Sequence, residues 1–145
     1  MRCEEIMSHP VTTILSGSSI AETARRMRDA NVGLLPVCNG RGQVLGVVTD
    51  RDIAIRGCGA ERPPASTPVN DIMNELVISC LATDTLSVAR DLMERHKKAR
   101  ILIMDGDDQL VGILSLADIA ARLVDKASQH TIQSVASREV LRKLH

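Results

Sequence analysis

The chain contains no phenylalanine, tyrosine or tryptophan. Its core must therefore be built from Leu, Ile, Val, Met and Ala. A bound nucleobase would find no aromatic ring to stack on and would lie between aliphatic side chains and backbone. Charge of one sign is lacking too. Eighteen basic residues balance 18 acidic ones, so no global field argues for nucleic acid or a membrane surface as partner. No apolar run is long enough to span a bilayer. The start, Met1-Arg2-Cys3-Glu4-Glu5, is acidic and lacks the apolar core of a signal peptide, so a cytoplasmic location is expected. Cysteine is sparse, with Cys3, Cys38, Cys58 and Cys80 and no C-x-x-C spacing. Cys38 and Cys80 fall in apolar strand-like runs and read as small buried hydrophobes. Cys3, near an end, and Cys58, beside glycines, are expected to be exposed. Spacing gives little support to a metal site from Cys3, Cys58 and His9, and no metal is expected. The glycine-rich turns lack the Lys-Ser/Thr of a phosphate-cradling loop.

What is present is a duplication. At 145 residues the chain suits one domain or two small halves sharing a core. Gly46-Val47-Val48-Thr49-Asp50-Arg51-Asp52-Ile53 reads as a buried strand running into a helix N-terminus, where unpaired N–H groups favour an anion. Gly112-Ile113-Leu114-Ser115-Leu116-Ala117-Asp118-Ile119 repeats it at an offset of 66 residues. The same offset places Ile6-Met7 on Ile72-Met73, Met27 on Met93, Gly40 on Gly106 and Arg56 on Arg122, without gaps.

Each copy reads strand, helix, strand, strand, helix. The first strands are Val11–Leu15 and Leu76–Leu81. The first helices start at the capping box Ser19-Ile20-Ala21-Glu22 and at Thr83-Asp84. One helical face runs through Ile20, Thr23-Ala24 and Met27, the other through Leu86, Ala89 and Leu92-Met93. Hairpins follow: Leu34–Cys38 with Val44–Thr49, and Ile101–Met104 with Leu110–Ser115. The division expected is repeat 1 over 1–61, a Pro-rich linker over 62–70, repeat 2 over 71–125 and a helical tail over 126–145.

Thr49-x-x-Asp52 before an apolar helix is also close to a capping box, which is a structural reading of the same residues. Two observations carry it further. The motif occurs twice, and each copy follows a glycine that ends a turn–strand run.

The repeated G-h-h-[TS]-x-x-D unit resembles a CBS domain, and two in tandem resemble a Bateman module of the stand-alone bacterial type, over about residues 6 to 125. The resemblance implies an α+β fold of two β-α-β-β-α repeats packed sheet to sheet with pseudo-twofold symmetry. It implies two clefts for adenosine-containing ligands (AMP, ADP, ATP or S-adenosylmethionine), no other required cofactor, a homodimer and an unidentified protein partner. Asp52 and Asp118 would accept from the ribose hydroxyls, because a carboxylate binds a vicinal diol bidentately. Thr49 and Ser115 would donate to phosphate or ribose oxygen, and Val11 and Val77 would flank the adenine. In the family a basic residue before the second strand often serves the other repeat's cleft. His96-Lys97-Lys98-Ala99-Arg100 is basic there, while Ala30-Asn31-Val32-Gly33-Leu34 is uncharged. Lys97 and Arg100 would thus give the Thr49/Asp52 cleft its preference for a phosphorylated ligand. A solvated helix end, where cations suit the dipole, explains the same run blandly.

The expected function is a regulatory adenine-nucleotide sensor, not an enzyme, in which binding shifts one repeat against the other. One alternative is a structural dimerisation module without ligand. Another is a Mg-dependent phosphatase, since Asp50-Arg51-Asp52 resembles the D-x-D of haloacid-dehalogenase-type enzymes and Gly106-Asp107-Asp108 their later acidic motif. The duplication argues against the latter: Leu116 stands where Asp50 would fall, so the repeat keeps T-x-x-D and not D-x-D.

Overall fold

The computed structural model describes residues 1–124; the expected helix within 126–145 lies outside the described residues. The first copy supplies β1 (Ile14–Leu15), α1 (Ile20–Ala30), β2 (Leu34–Cys38) and β3 (Val44–Thr49). Its α2 opens as one α-turn, Asp50–Asp52, and continues as a π-helix, Ile53–Cys58. The second copy supplies β4 (Ser79–Leu81), α3 (Leu86–His96), β5 (Arg100–Met104), β6 (Leu110–Ser115) and α4 (Leu116–Val124). The fold is α+β, with two three-stranded sheets ordered β1-β2-β3 and β4-β5-β6. In each, the short first strand runs parallel to the central one, and the hairpin pair is antiparallel.

The two copies share their local devices. Ser19 Oγ accepts from the Glu22 N–H at 3.1 Å to cap α1, and Thr85 Oγ1 accepts from the Val88 N–H at 3.4 Å to cap α3. The second cap is thus Thr85, not Thr83-Asp84; Asp84 instead accepts from the Leu81 N–H at 2.8 Å and holds the turn before the helix. Both helices end in a left-handed residue, Asn31 and Lys97, each with φ 53°. In the hairpins Asn39 Oδ1 accepts from the Arg41 and Gln43 N–H groups, and Asp105 Oδ1 from those of Asp107 and Gln109, all within 2.9–3.0 Å. Asp107 and Asp108 are therefore turn residues, Asp108 taking the positive φ (59°) that Gly42 takes in the first copy.

The first strands are shorter than expected, because Val11 to Thr13 and Leu76 to Ile78 lie outside any strand. The second helices also differ. Gly57 and Gly59, poor α-formers, loosen α2 into the π-helix, whose Gly59 N–H reaches back to the Ala54 carbonyl at 2.8 Å.

The compact units are not the repeats. Among the described residues, one unit joins Met1–Val11 to 78–124; the other is Thr12–Val77. Each unit therefore holds the hairpin and helices of one copy and the leading segment of the other. The Thr67 carbonyl accepts from the Ile20 N–H at 2.9 Å and Pro64 from Ala21 at 3.0 Å, so the Pro-rich linker satisfies orphan donors of α1. The Met1 carbonyl does the same for Leu86 of α3 at 3.1 Å. Ile14, Ile20, Met27, Leu35, Val37, Val48, Val69 and Ile72 form one core. Cys80, Leu86, Met93, Ile101, Ile103 and Leu114 are their equivalents in the other, completed by Cys3. Cys3 is thus buried, against expectation, because the leading segment packs on this core; Cys38 and Cys80 are buried and Cys58 exposed, as expected.

Candidate functional site

Thr49 closes β3 and is the N-cap of α2. Its Oγ1 accepts from the Asp52 N–H at 3.2 Å, and its own N–H donates to Asp52 Oδ2 at 2.9 Å. The Thr49 hydroxyl lies 3.0 Å from the same Oδ2 and donates to it. In the other unit the Asp118 N–H donates to Ser115 Oγ at 3.0 Å and the Ser115 N–H to Asp118 Oδ2 at 3.0 Å. The structural reading of the motif is therefore correct in both copies: each is a capping box with Asp in the Glu position. The box does not exhaust the carboxylate. It engages only Oδ2 of each aspartate, which leaves the second oxygen of a half-buried, oriented group at a helix N-terminus.

At Asp52 that second oxygen faces a residue the sequence reading passed over. Arg56 Nε lies 3.9 Å from Asp52 Oδ1, one helical turn on. Arg56 Nη1 also donates to the carbonyls of Ile72 and Met73 at 3.3 Å each. Arg56 thus ties the carboxylate to the segment that follows the linker. The signal available in the sequence was the match of Arg56 to Arg122, four residues after each motif aspartate.

The remaining candidates are placed as follows. Leu34 is the β-partner of Thr49, and Arg100 the partner of Ser115. Arg100 is half-buried at the first position of β5. Lys97, the left-handed cap of α3, lines a cavity of about 460 Å³ with Arg90, Met93, Glu94, Lys98, Ala99 and Leu116. That cavity adjoins the start of α4 through Leu116. Val77 falls in the unit that contains Thr49 and Asp52, and Val11 in the unit that contains Ser115 and Asp118; both valines are half-buried. A second cavity, of about 630 Å³, lies apart from the motifs between Thr12, Thr13 and the Arg25, Arg26 and Asp29 face of α1. Asp50, the first acid of the D-x-D reading, is exposed and accepts from the Arg51 N–H at 2.9 Å. Among the described residues no group of three or more His, Cys, Asp or Glu side chains is placed to hold a metal ion. No helix among them is long and apolar enough to cross a membrane.

A duplicated β-α-β-β-α unit, with a hydroxyl–aspartate box where its third strand enters its second helix, defines a paired-repeat protein. The model of the CBS domain matches residues 3–56 and 69–125, and the chain belongs to the CBS domain family. It is 28% identical to hypoxic response protein 1 of Mycobacterium tuberculosis over 92% of both chains. It is 34% identical to the CBS domain-containing protein YhcV of Bacillus subtilis, over 86% of this chain and 87% of that one. Hypoxic Response Protein I, solved with two coordinated zinc ions, superposes with a TM-score of 0.75 at 28% identity, covering 83% of this chain and 97% of its own. A CBS domain protein of Pyrobaculum aerophilum complexed with AMP gives 0.76 at 24% identity, over 94% and 99% of the two chains. The CBS domain pair of protein MJ0100, complexed with 5-methylthioadenosine and S-adenosyl-L-methionine, gives 0.77 at 24% over 88% and 98%.

Proposed function

We propose that this protein is a regulatory module that binds an adenine nucleotide or a related adenosine compound through its two hydroxyl–aspartate boxes. The observation that carries the reading is the division of labour in each carboxylate. The box uses Oδ2 of Asp52 and of Asp118, and the other oxygen accepts from the ribose. Thr49 and Ser115, with the helix N–H groups, orient that carboxylate and favour an anionic ligand. Val77 and Val11 flank the base, since no aromatic is available. Lys97 and Arg100 are the cations for a phosphate. The fold is shared with proteins solved with AMP and with S-adenosyl-L-methionine, which supports an adenosine ligand without choosing among them.

The cheapest test is the absorbance of the purified protein. With no aromatic residue the chain has almost no band of its own at long wavelength, so a retained nucleotide shows directly. Calorimetry with AMP, ADP, ATP, NAD and S-adenosylmethionine then ranks ligands. A hydrogen bond to a charged group contributes about 1.5–3 kcal/mol, so Asp52→Asn or Asp118→Asn is expected to weaken its own site at least ~10-fold while the cap survives. Arg100→Ala is expected to weaken nucleotide binding more than Leu34→Ala does. Heat exchange with none of the five compounds would favour a homodimeric structural module, and Mg-dependent phosphatase activity lost in Asp50→Asn would favour an enzyme.

A further inference from the structure

Cys3 and Cys80 are 77 residues apart in sequence, yet their sulfurs lie 3.7 Å apart in the core. Both are buried, and both belong to the same compact unit. The short 3-10 turn Cys3–Glu5 is held beside β4 by backbone bonds: Cys3 N–H to the Asp84 carbonyl and Glu4 N–H to that of Ala82, each 2.9 Å. The duplication supplies an internal comparison. An offset of 66 residues places Cys3 on Val69 and Cys80 on Ile14, both members of the other core. A pair of aliphatic side chains fills this position in one unit, so packing alone does not call for sulfur. In the other unit both members of the contact are thiols.

We propose that Cys3 and Cys80 are a modification site, forming a reversible intramolecular disulfide that staples the N-terminal segment to β4. The oxidant is a peroxide. One thiolate sulfur attacks a peroxide oxygen; the O–O bond breaks, leaving a sulfenic acid and a hydroxide that takes up a proton. The second sulfur attacks the sulfenic sulfur, the S–O bond breaks, the S–S bond forms and a second water leaves. Two thiols and one hydrogen peroxide become one disulfide and two waters, and a dithiol reductant reverses the change. The sulfurs must close from 3.7 Å to about 2.0 Å, the length of an S–S bond. Burial raises both thiols, pushing Cys80 up to about 12. The reactive thiolate is therefore scarce near neutrality, and the reaction accelerates as pH rises.

The test uses the full chain carrying Cys58→Ser, which removes the exposed thiol. It is treated with hydrogen peroxide at neutral and alkaline pH and read by intact mass and peptide mapping. The expected result is loss of two hydrogens, a cross-linked peptide pair containing Cys3 and Cys80, faster conversion at alkaline pH and full reversal by dithiothreitol. The thermal midpoint is expected to rise on oxidation. Cys3→Val, which installs the residue of the other unit, should abolish the loss; Cys80→Ile serves the same purpose if the first variant folds poorly. Oxygen addition without a cross-link, no change at either pH, or a cross-link that includes Cys38 would each overturn the proposal.

Discussion

Glycine at position 46 shows how one residue is fixed by a neighbour that sequence does not reveal. A Cβ built there would lie 2.6 Å from the Asn74 carbonyl and 2.8 Å from Met73 Sδ. The reason is the isolated bridge between Val47 and Asn74, which brings the chain after the linker against β3. Gly112 meets the side chain of Met7 in the same way, where Ser8 bridges Ile113. Strand propensity alone would favour replacing either glycine. Close approach wins here, and Gly46→Ala is expected to cost about 1–3 kcal/mol through overpacking. Gly40→Ala, with open space around its Cβ position, is the control and should be near neutral. Urea denaturation of both variants checks the contrast; equal midpoints would refute it. The match of Gly46 to Gly112 was visible in the sequence, but its cause required the bridging segment.

At the scale of elements, the hairpins were the most legible part of the chain. Leu34–Cys38, Val44–Thr49 and Leu110–Ser115 have the expected limits, and β5 gains only Arg100. Near-continuous apolar runs in β2 and β5, which are buried along their length, alternation in β3 and β6, and an Asn or Asp that holds its own turn specify these locally. The helix starts were less legible where two hydroxyls compete, as Thr83 and Thr85 do, because each satisfies the sequence rule. The boxes at Thr49 and Ser115 raise the question of whether a cap or a ligand explains them, and a helix cap elsewhere separates the two. Ser19 caps α1 without lying in a T/S-x-x-D box. Ser19→Ala and Thr49→Ala should each lower stability by about 1 kcal/mol, with an unchanged denaturant slope. Only Thr49→Ala should also weaken ligand binding, and Thr49→Ser should restore both. A parallel loss of affinity in Ser19→Ala would mean that the effect passes through stability rather than through the site.

For the whole molecule, the duplication predicted two equivalent units but not which segment each unit holds. A gapless repeat is blind to this: the leader of each copy carries the same apolar residues, Ile6-Met7 or Ile72-Met73, and fits either core. The structure puts Met1–Val11 with residues 78–124 and leaves Val69 and Ile72 with the first copy's hairpin. Cutting the chain between the repeats would therefore remove from each core a segment it needs. Deleting Met1 to Pro10 tests this. It takes away Cys3, Ile6 and Met7 from one core, together with the paired bonds between Ser8 and Ile113 at 2.8 and 3.1 Å. One fully buried side chain contributes roughly 1.5–3 kcal/mol, so the deletion is expected to cost that unit at least about 3 kcal/mol. Amide hydrogen exchange should show protection falling chiefly in β4, β5 and β6, and less in β2 and β3. If protection fell chiefly in β2 and β3, each leader would be serving its own repeat, and the exchanged assignment would be wrong.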